Sequence, residues 1–365
     1  MSQIHTPENQ KLSHRGLQKN EERSEEFLKP LVSVIIPAYN VEKYIGETLK
    51  SVFNQTFKDF EIVVVNDGSK DNTLQVVSEI LNGSGFPFKI VDQVNRGVSV
   101  ARNVGMENSA GRYIKFLDGD DRLVPDAIET LVNAIQKRGC GLVYGGQDVA
   151  TISGKVIQRY EDMYKQEWTY ANYKKAIKEF LLSKVHISVN SSLIDRELID
   201  KFGIRFVPGA KYSEDNEFIS KVIYYSNNVS YVGRSTCFLT VRPDSTTKMA
   251  TLSAFHNVGS MKRLKRFFEA KGEYEIVEIL ERYSIPSAYA WSLGSLAYNG
   301  YPYKKWIKIA WNKTIRQNIS KFGIPFENKT NFHKQLLMTK SLYMFSPTLS
   351  YVIMRIERIL HNAKQ

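Results

Sequence analysis

Between residues 31 and 144 short apolar, β-branched runs alternate five times with stretches of helical periodicity, and that order leaves few folds open. Leu31–Pro37 and Glu61–Asn66 read as strands buried on both faces, because their apolar residues are continuous rather than alternating. Phe88–Val91, Gly111–Leu117 and Gly141–Tyr144 supply three more. Between them lie helices. Tyr44, Ile45, Leu49, Val52 and Phe53 recur at three- and four-residue spacing, as do Leu74, Val77, Ile80 and Leu81 behind a cap at Asp71 or Asn72. Ser99–Glu107 and a segment opened by Pro125 and running to Lys137 complete the set. The expected class is α/β, a mostly parallel sheet covered by helices, in which ligands bind at the carboxyl ends of the strands.

Three of those strand ends carry polar residues of a kind that rarely gathers by chance: Pro37-Ala-Tyr39-Asn40, Asn66-Asp67-Gly68-Ser69 and Asp118-Gly-Asp120-Asp121. In the last, three acids within four residues repel one another. A divalent cation offsets that repulsion most simply, and hard oxygen ligands on a short loop suit Mg2+ or Mn2+ rather than Zn2+. The alternative is a solvated acidic turn, and a nucleotide site with a metal accounts better for all three ends together.

Beyond Tyr144 the pattern loosens. Val149–Tyr160 reads as a hairpin around Ser153-Gly154, Asn172–Leu182 as a helix, Val185–Ile194 as a strand or extended segment, and Asp195–Phe202 as a short helix closed by Gly203. A helix opens at Glu214-Asp215, where acids in the first turn suit its dipole. Tyr231–Gly233 and Cys237–Val241 read as two short strands, followed by a polar loop from Arg242 to Lys248. From Leu252 helices dominate.

The charge divides the chain in the same place. Of a net charge of +12, residues 251–365 hold 18 Lys and Arg against 7 Asp and Glu. Tyr, Met and Phe are mixed into this basic segment, which suits an anionic membrane surface better than nucleic acid. No apolar run reaches the 18 or so residues a spanning helix needs. The start, Met1–Lys29, is too polar for a secretory signal and reads as a flexible leader. Cys140 and Cys237 lack metal-type spacing and are expected as buried thiols in a reducing setting. The expected domains are therefore 1–30 leader, 31–250 α/β domain with its halves meeting near residue 145, and 251–365 basic helical region.

The motifs together resemble glycosyltransferase family 2, the inverting GT-A enzymes, and among them the bacterial enzymes of capsule, O-antigen and exopolysaccharide assembly. The matching segments, in order, are Val34-Ile-Ile-Pro-Ala-Tyr-Asn40, Ser51–Thr56, Val64-Val-Asn-Asp-Gly-Ser69, Asn95–Ser99 with Ala101-Arg-Asn103, Phe116-Leu-Asp-Gly-Asp-Asp121 and Ser213-Glu-Asp215. The resemblance implies that Pro37, Tyr39, Glu42 and Asp67 hold the base and ribose of a nucleotide-sugar, a UDP-sugar before others. Asp118, Asp120 and Asp121 become the metal and ribose loop, with Asp120 and Asp121 on Mn2+ or Mg2+. Arg102 lies near the pyrophosphate or braces the Asp loop, and Arg242 closes on the diphosphate or is a surface arginine. Asp215 is the implied general base, with Glu214 as the alternate.

The activity so implied is transfer of one hexosyl or N-acetylhexosaminyl unit to a saccharide or polyprenyl-linked saccharide at the cytoplasmic face of the inner membrane. The Gln-x-x-Arg-Trp signature of processive members is missing. Two other readings are weaker: a nucleotidyltransferase would need a glycine-rich phosphate loop where Pro37–Asn40 stands, and a binding module would not need the three acids.

Overall fold

The structure is a computed structural model, and it describes residues 29–164, 168–242, 250–323 and 331–362. Of the leader expected at 1–30, residues 1–28 lie outside the described residues. The first half follows the expected alternation: β1 (Val32–Ala38), α1 (Ile45–Phe53), β2 (Phe60–Asp67), α2 (Thr73–Asn82), β3 (Phe88–Gln93), α3 (Val98–Glu107), β4 (Tyr113–Phe116), the two-residue β5 (Arg122–Leu123), α4 (Ala127–Arg138) and β6 (Leu142–Thr151). The hairpin partner β7 (Val156–Gln158) and the short α5 (Tyr160–Met163) follow. Next come β8 (Tyr170–Asn172), α6 (Tyr173–Leu181), a 3-10 turn at Val189–Ser191, β9 (Ser192–Asp195), α7 (Arg196–Lys201), α8 (Glu214–Tyr225) and β10 (Asn228–Val241).

The sheet runs β3-β2-β1-β4-β9-β6-β10-β5, with β7 on β6 and β8 on β10. Its β3-β2-β1-β4 part is parallel, and so is β6 with β10. β6 does not lie beside β4, because β9 enters antiparallel between them. Periodicity reports which residues are buried and not which strand is the neighbour, so this insertion leaves no mark in the alternation. The two strands expected at 231–241 are one strand, shifted in register on either side of Ser235 near Gly233 at φ +80°.

Successive residues of β1 feed opposite faces. Val34 and Ile36 join α1, α2 and α4 in one core, while Ile35 joins Phe116, α3 and α8 in the other. The second core continues into the C-terminal helices α9 (His256–Ala270), α10 (Tyr274–Ile279), α11 (Ile285–Tyr298), α12 (Tyr303–Ala310), α13 (Lys313–Lys321), α14 (Asn331–Phe345) and α15 (Pro347–Asn362). Phe268, Leu293 and Trp306 are buried in the same cluster as Phe218 of α8. The basic region therefore shares a core with the α/β domain. Cys140 and Cys237 are free and buried, as expected.

Helix α3 approaches β1 closely because position 105 is glycine. A Cβ there would lie 2.2 Å from Ile35 Cγ2, the stiff branch of a side chain that is itself fully buried. Gly105→Ala should destabilise the protein by about 1–3 kcal/mol, read as a lowered urea midpoint; an unchanged midpoint would mean that the helix and strand can part at little cost.

Candidate active site

At the carboxyl end of the sheet the loops after β1 and β2 are zipped together. The Asn40 amide donates to Ser69 Oγ (3.1 Å), Val41 N to Thr73 Oγ1 (2.8 Å) and Glu42 N to Asp71 Oδ2 (3.2 Å), while Glu42 Oε2 accepts from Asn72 N (2.9 Å). Glu42 thereby serves an otherwise unsatisfied amide at the start of α2. Asp67, 3% exposed, accepts from the Arg96 and Gly97 amides (both 2.8 Å) and from Gln93 Nε2 (2.7 Å). Its carboxylate braces the turn that launches α3. Pro37 is buried at the end of β1, and Tyr39, expected against a base, is left 41% exposed at this rim.

The acidic loop after β4 hangs from one side chain that the sequence reading did not single out. Asn190, 3% exposed, donates from Nδ2 to Asp118 Oδ2 (3.0 Å) and Asp121 Oδ2 (2.7 Å), and its Oδ1 accepts from the Asp118 amide (3.2 Å). Its own carbonyl accepts from Lys115 Nζ, which also donates to Phe116 O. Burial draws the Lys115 ammonium down to about 8, against the pull of the nearby Asp118 and Asp121 carboxyls. The only advance signal for Asn190 is a short polar run, Asn190 to Ser192, inside an otherwise mostly apolar stretch.

The three acids of that loop separate into different environments. Asp121 is 1% exposed and accepts from Asn190, from Gln147 Nε2 (3.4 Å) and from the Thr240 amide (2.9 Å). Burial, then the charges of Asp120 and Asp118, pushes its carboxyl well above the usual range. Asp118 is held below that range against the effect of burial, because Arg102 Nη2 donates to it at 2.8 Å. Asp120 keeps 19% of its side chain exposed and meets Arg242 Nε at 2.7 Å, with the guanidinium also over the Tyr44 ring at 5.5 Å. Arg242 is thus not a surface arginine. Residues 243–249, the rest of that polar loop, lie outside the described residues.

Arg102 lies against the Asp loop. Its side chain, 4% exposed, reaches Asp118 on one side and Glu214 Oε1 (3.3 Å) on the other, with Phe206 beneath at 5.2 Å. The two acids hold the guanidinium charged although burial opposes it. Burial, then the neighbouring Asp215, lifts the Glu214 carboxyl to about 7 against the pull of Arg102. Asp215, the next residue in the first turn of α8, is partly exposed and accepts its neighbour's amide, Asn216 N, at 2.7 Å. His186 stands near enough to feel its charge, which opposes the lowering of the imidazole by burial.

These positions bear on the cation the acids implied. Among the described residues no group of three His, Cys, Asp or Glu side chains is placed to hold a metal ion. Asp121, expected beside Asp120, turns into the protein. The exposed edges of Asp120 and Asp118 suit a Mg2+ or Mn2+ that keeps its remaining positions for water and phosphate oxygens, the usual habit of such ions at nucleotides.

Known proteins resemble this chain in sequence and in fold. The glycosyl transferase family 2 model matches residues 33–203. Glycosyltransferase GlyA of Streptococcus pneumoniae serotype 4 is 32% identical over 236 residues, 62% of this chain and 32% of GlyA, so the match spans about a third of that relative's length. Among solved structures, S. aureus TarS residues 1–349 in complex with UDP-GlcNAc superposes with a TM-score of 0.56 at 19% identity, covering 92% of each chain. The mannosyltransferase PcManGT of Pyrobaculum calidifontis, in complex with GDP-Man and Mn2+, does so at 0.52 and 17%, covering 87% of this chain and 88% of its own. At those identities the likeness concerns the fold.

A carboxyl whose folded-state pKa is raised stabilises the fold at low pH and loses that contribution as pH climbs through the folded value. Glu214 should therefore cost stability as pH rises from about 4.5 to about 7. In Glu214→Gln, which cannot ionise, the melting temperature should gain on the wild type across that window. A difference that stays constant with pH would remove Glu214 as the titrating group.

Proposed function

We propose, from the premise that the chain belongs to glycosyltransferase family 2 through residues 33–203, that it moves one sugar from a nucleoside-diphosphate sugar, a UDP-sugar first, to a hydroxyl of a saccharide or lipid-linked saccharide in surface-polysaccharide synthesis. The observation that carries this reading is the bridge of Arg102 between Asp118 and Glu214. One buried cation brings the acidic loop and the Glu-Asp pair to a single cleft, as a one-step displacement with inversion requires.

In that cleft Tyr39, Pro37, Glu42 and Asp67 frame the nucleotide, and Asp118 stays ionised beside the ribose and phosphates because Arg102 and Asn190 favour its charged form. Asp215 accepts the proton of the acceptor hydroxyl as its oxygen attacks the anomeric carbon, while the bond from that carbon to the diphosphate breaks on the opposite face. Arg242, half-buried beside Asp120, offers its guanidinium to the departing diphosphate. Glu214, tied to Arg102, holds the loop and is the alternate base. Asp120, with Asp118 at its side, would hold Mn2+ or Mg2+, which when bound offsets the charge of the leaving group.

The basic C-terminal region suits the surface on which a lipid-linked acceptor would be met. No helix among the described residues is long and apolar enough to cross a membrane. On α15, Ser350 and Met354 are buried against the protein while Leu349, Val352, Ile356 and Ile359 repeat at three- and four-residue spacing and stay exposed, with Phe345 85% exposed ahead of them. Lys304, Lys305 and Lys308 lie exposed on neighbouring α12. An apolar stripe beside cations is the pattern of an interfacial helix on anionic lipid.

A hydrolysis screen with Mn2+ over UDP-, GDP- and dTDP-sugars identifies the donor. With it, Asp215→Asn should lower turnover about 10²–10⁴-fold with little change in donor affinity; lost affinity at near-normal turnover would make Asp215 a binding residue. Full turnover in excess EDTA would exclude the cation. Full-length protein should float with vesicles containing anionic phospholipid at low salt, and Val352→Glu with Ile356→Glu should abolish flotation and spare hydrolysis. Truncating the tail is a poorer test, since Tyr343 and Met354 belong to the core. Protein that ignores such vesicles would contradict the membrane reading.

A further inference from the structure

The start of α8 does not hold itself. Its N-cap, Ser213, sits in the left-handed region at φ +56°, a strained position for a residue with a Cβ. A serine there normally caps the helix by accepting from an amide of the first turn, and this one makes no such bond. Its hydroxyl turns away to Asn257 Oδ1 of α9 at 2.8 Å. The two residues before it are held by the same helix, through Lys211 N to His256 Nδ1 (3.3 Å) and Ser260 Oγ to Tyr212 O (3.3 Å). Two residues after Asp215, Glu217 is 2% exposed and takes both Arg263 Nε (2.8 Å) and Arg263 Nη2 (2.7 Å) on one oxygen, with Lys221 Nζ (3.0 Å) on the other.

From residue 211 to residue 217, then, the backbone that presents the Glu-Asp pair is fastened to α9 at four successive points, and α9 lies outside the stretch that matches the family model. An ordinary surface helix would cap its own start; here the strained cap and the buried carboxylate are stable only with α9 in place. We propose that Asn257 and Arg263 are positioning residues for Asp215: the C-terminal region sets the direction of the base toward the acceptor hydroxyl. This rests on the assignment of Asp215 as base. A carboxylate displaced by a fraction of an ångström loses alignment with the proton it takes, while the zipped loops after β1 and β2, which touch neither α8 nor α9, are left as they were.

The test compares Asn257→Ala, Arg263→Lys and the pair Glu217→Gln with Arg263→Met, which leaves no buried charge, with Asp215→Asn alongside. UDP affinity in the presence of Mn2+ is read by calorimetry, and kcat, KM and the kcat-pH profile from hydrolysis of the donor found in the screen. The expected result is a kcat lower by about 10-fold or more in Asn257→Ala and in the double variant. UDP affinity and donor KM should stay within about two-fold, the acidic limb of the profile should shift, and Arg263→Lys should recover part of the loss. Loss of kcat and of UDP affinity in proportion would mean that these residues only keep the protein folded and would overturn the proposal. Turnover lost in Asp215→Asn but intact in the α9 variants would overturn this inference alone. Turnover intact in Asp215→Asn would overturn it together with the assignment of the base.

Discussion

A single buried cation between two carboxylates is the constraint on which the rest of the site depends. Arg102 can be 4% exposed because Asp118 and Glu214 both face it, and the guanidinium in turn offsets the cost of burying each acid. The guanidinium serves this role where an ammonium would not, since its planar fork addresses two partners at once over the Phe206 ring. Two anions on one cation leave an excess of negative charge. It is shed in part by the Glu214 carboxyl, whose pKa rises to about 7, and in part by the side-chain amide of Asn190 on Asp118. The acidic loop and the start of α8 are parts of one electrostatic unit although 96 residues separate Asp118 from Glu214.

Around that unit the fold supplies anchors from three directions. Helix α3 brings Arg102 in from the sheet and is seated closely because Gly105 lets it onto Ile35. The turn before β9 brings Asn190 up beneath the acidic loop, with Lys115 fixing the carbonyl of that same residue. Helix α9 fastens residues 211–217 from the far side. The acids could not hold these positions unaided, because like charges so close together repel and each must find a donor or a cation before it can be buried.

Much of this was legible in the chain because the informative signals are local. Continuous β-branched runs and three- and four-residue spacing reported burial for β1, β2, β4 and β6 and for four helices, and short polar clusters at three strand ends marked the cleft. Partnerships made at long range left no such trace. β9 inserts antiparallel because of where the chain returns after β6, and nothing in Ser192–Asp195 specifies its neighbour. Asp121 reads like Asp120 in sequence, yet it turns inward because Asn190, Gln147 and the Thr240 amide, 26 to 119 residues away, satisfy it there. Asn190 and Arg263 stand among residues whose spacing suggests only packing.

Whether Arg102 makes the acidic loop and the Glu214 turn into one unit is read by a double-mutant cycle on unfolding free energy with Asp118→Asn, Glu214→Gln and the pair, at a pH above 7 where Glu214 is ionised. Each substitution keeps the shape of its side chain and removes the charge on one flank of the guanidinium. A coupling of about 0.5–3 kcal/mol is expected, because each acid's worth depends on the cation it shares with the other. Free energies that add to within about 0.3 kcal/mol would show the two acids to be independent and would contradict it.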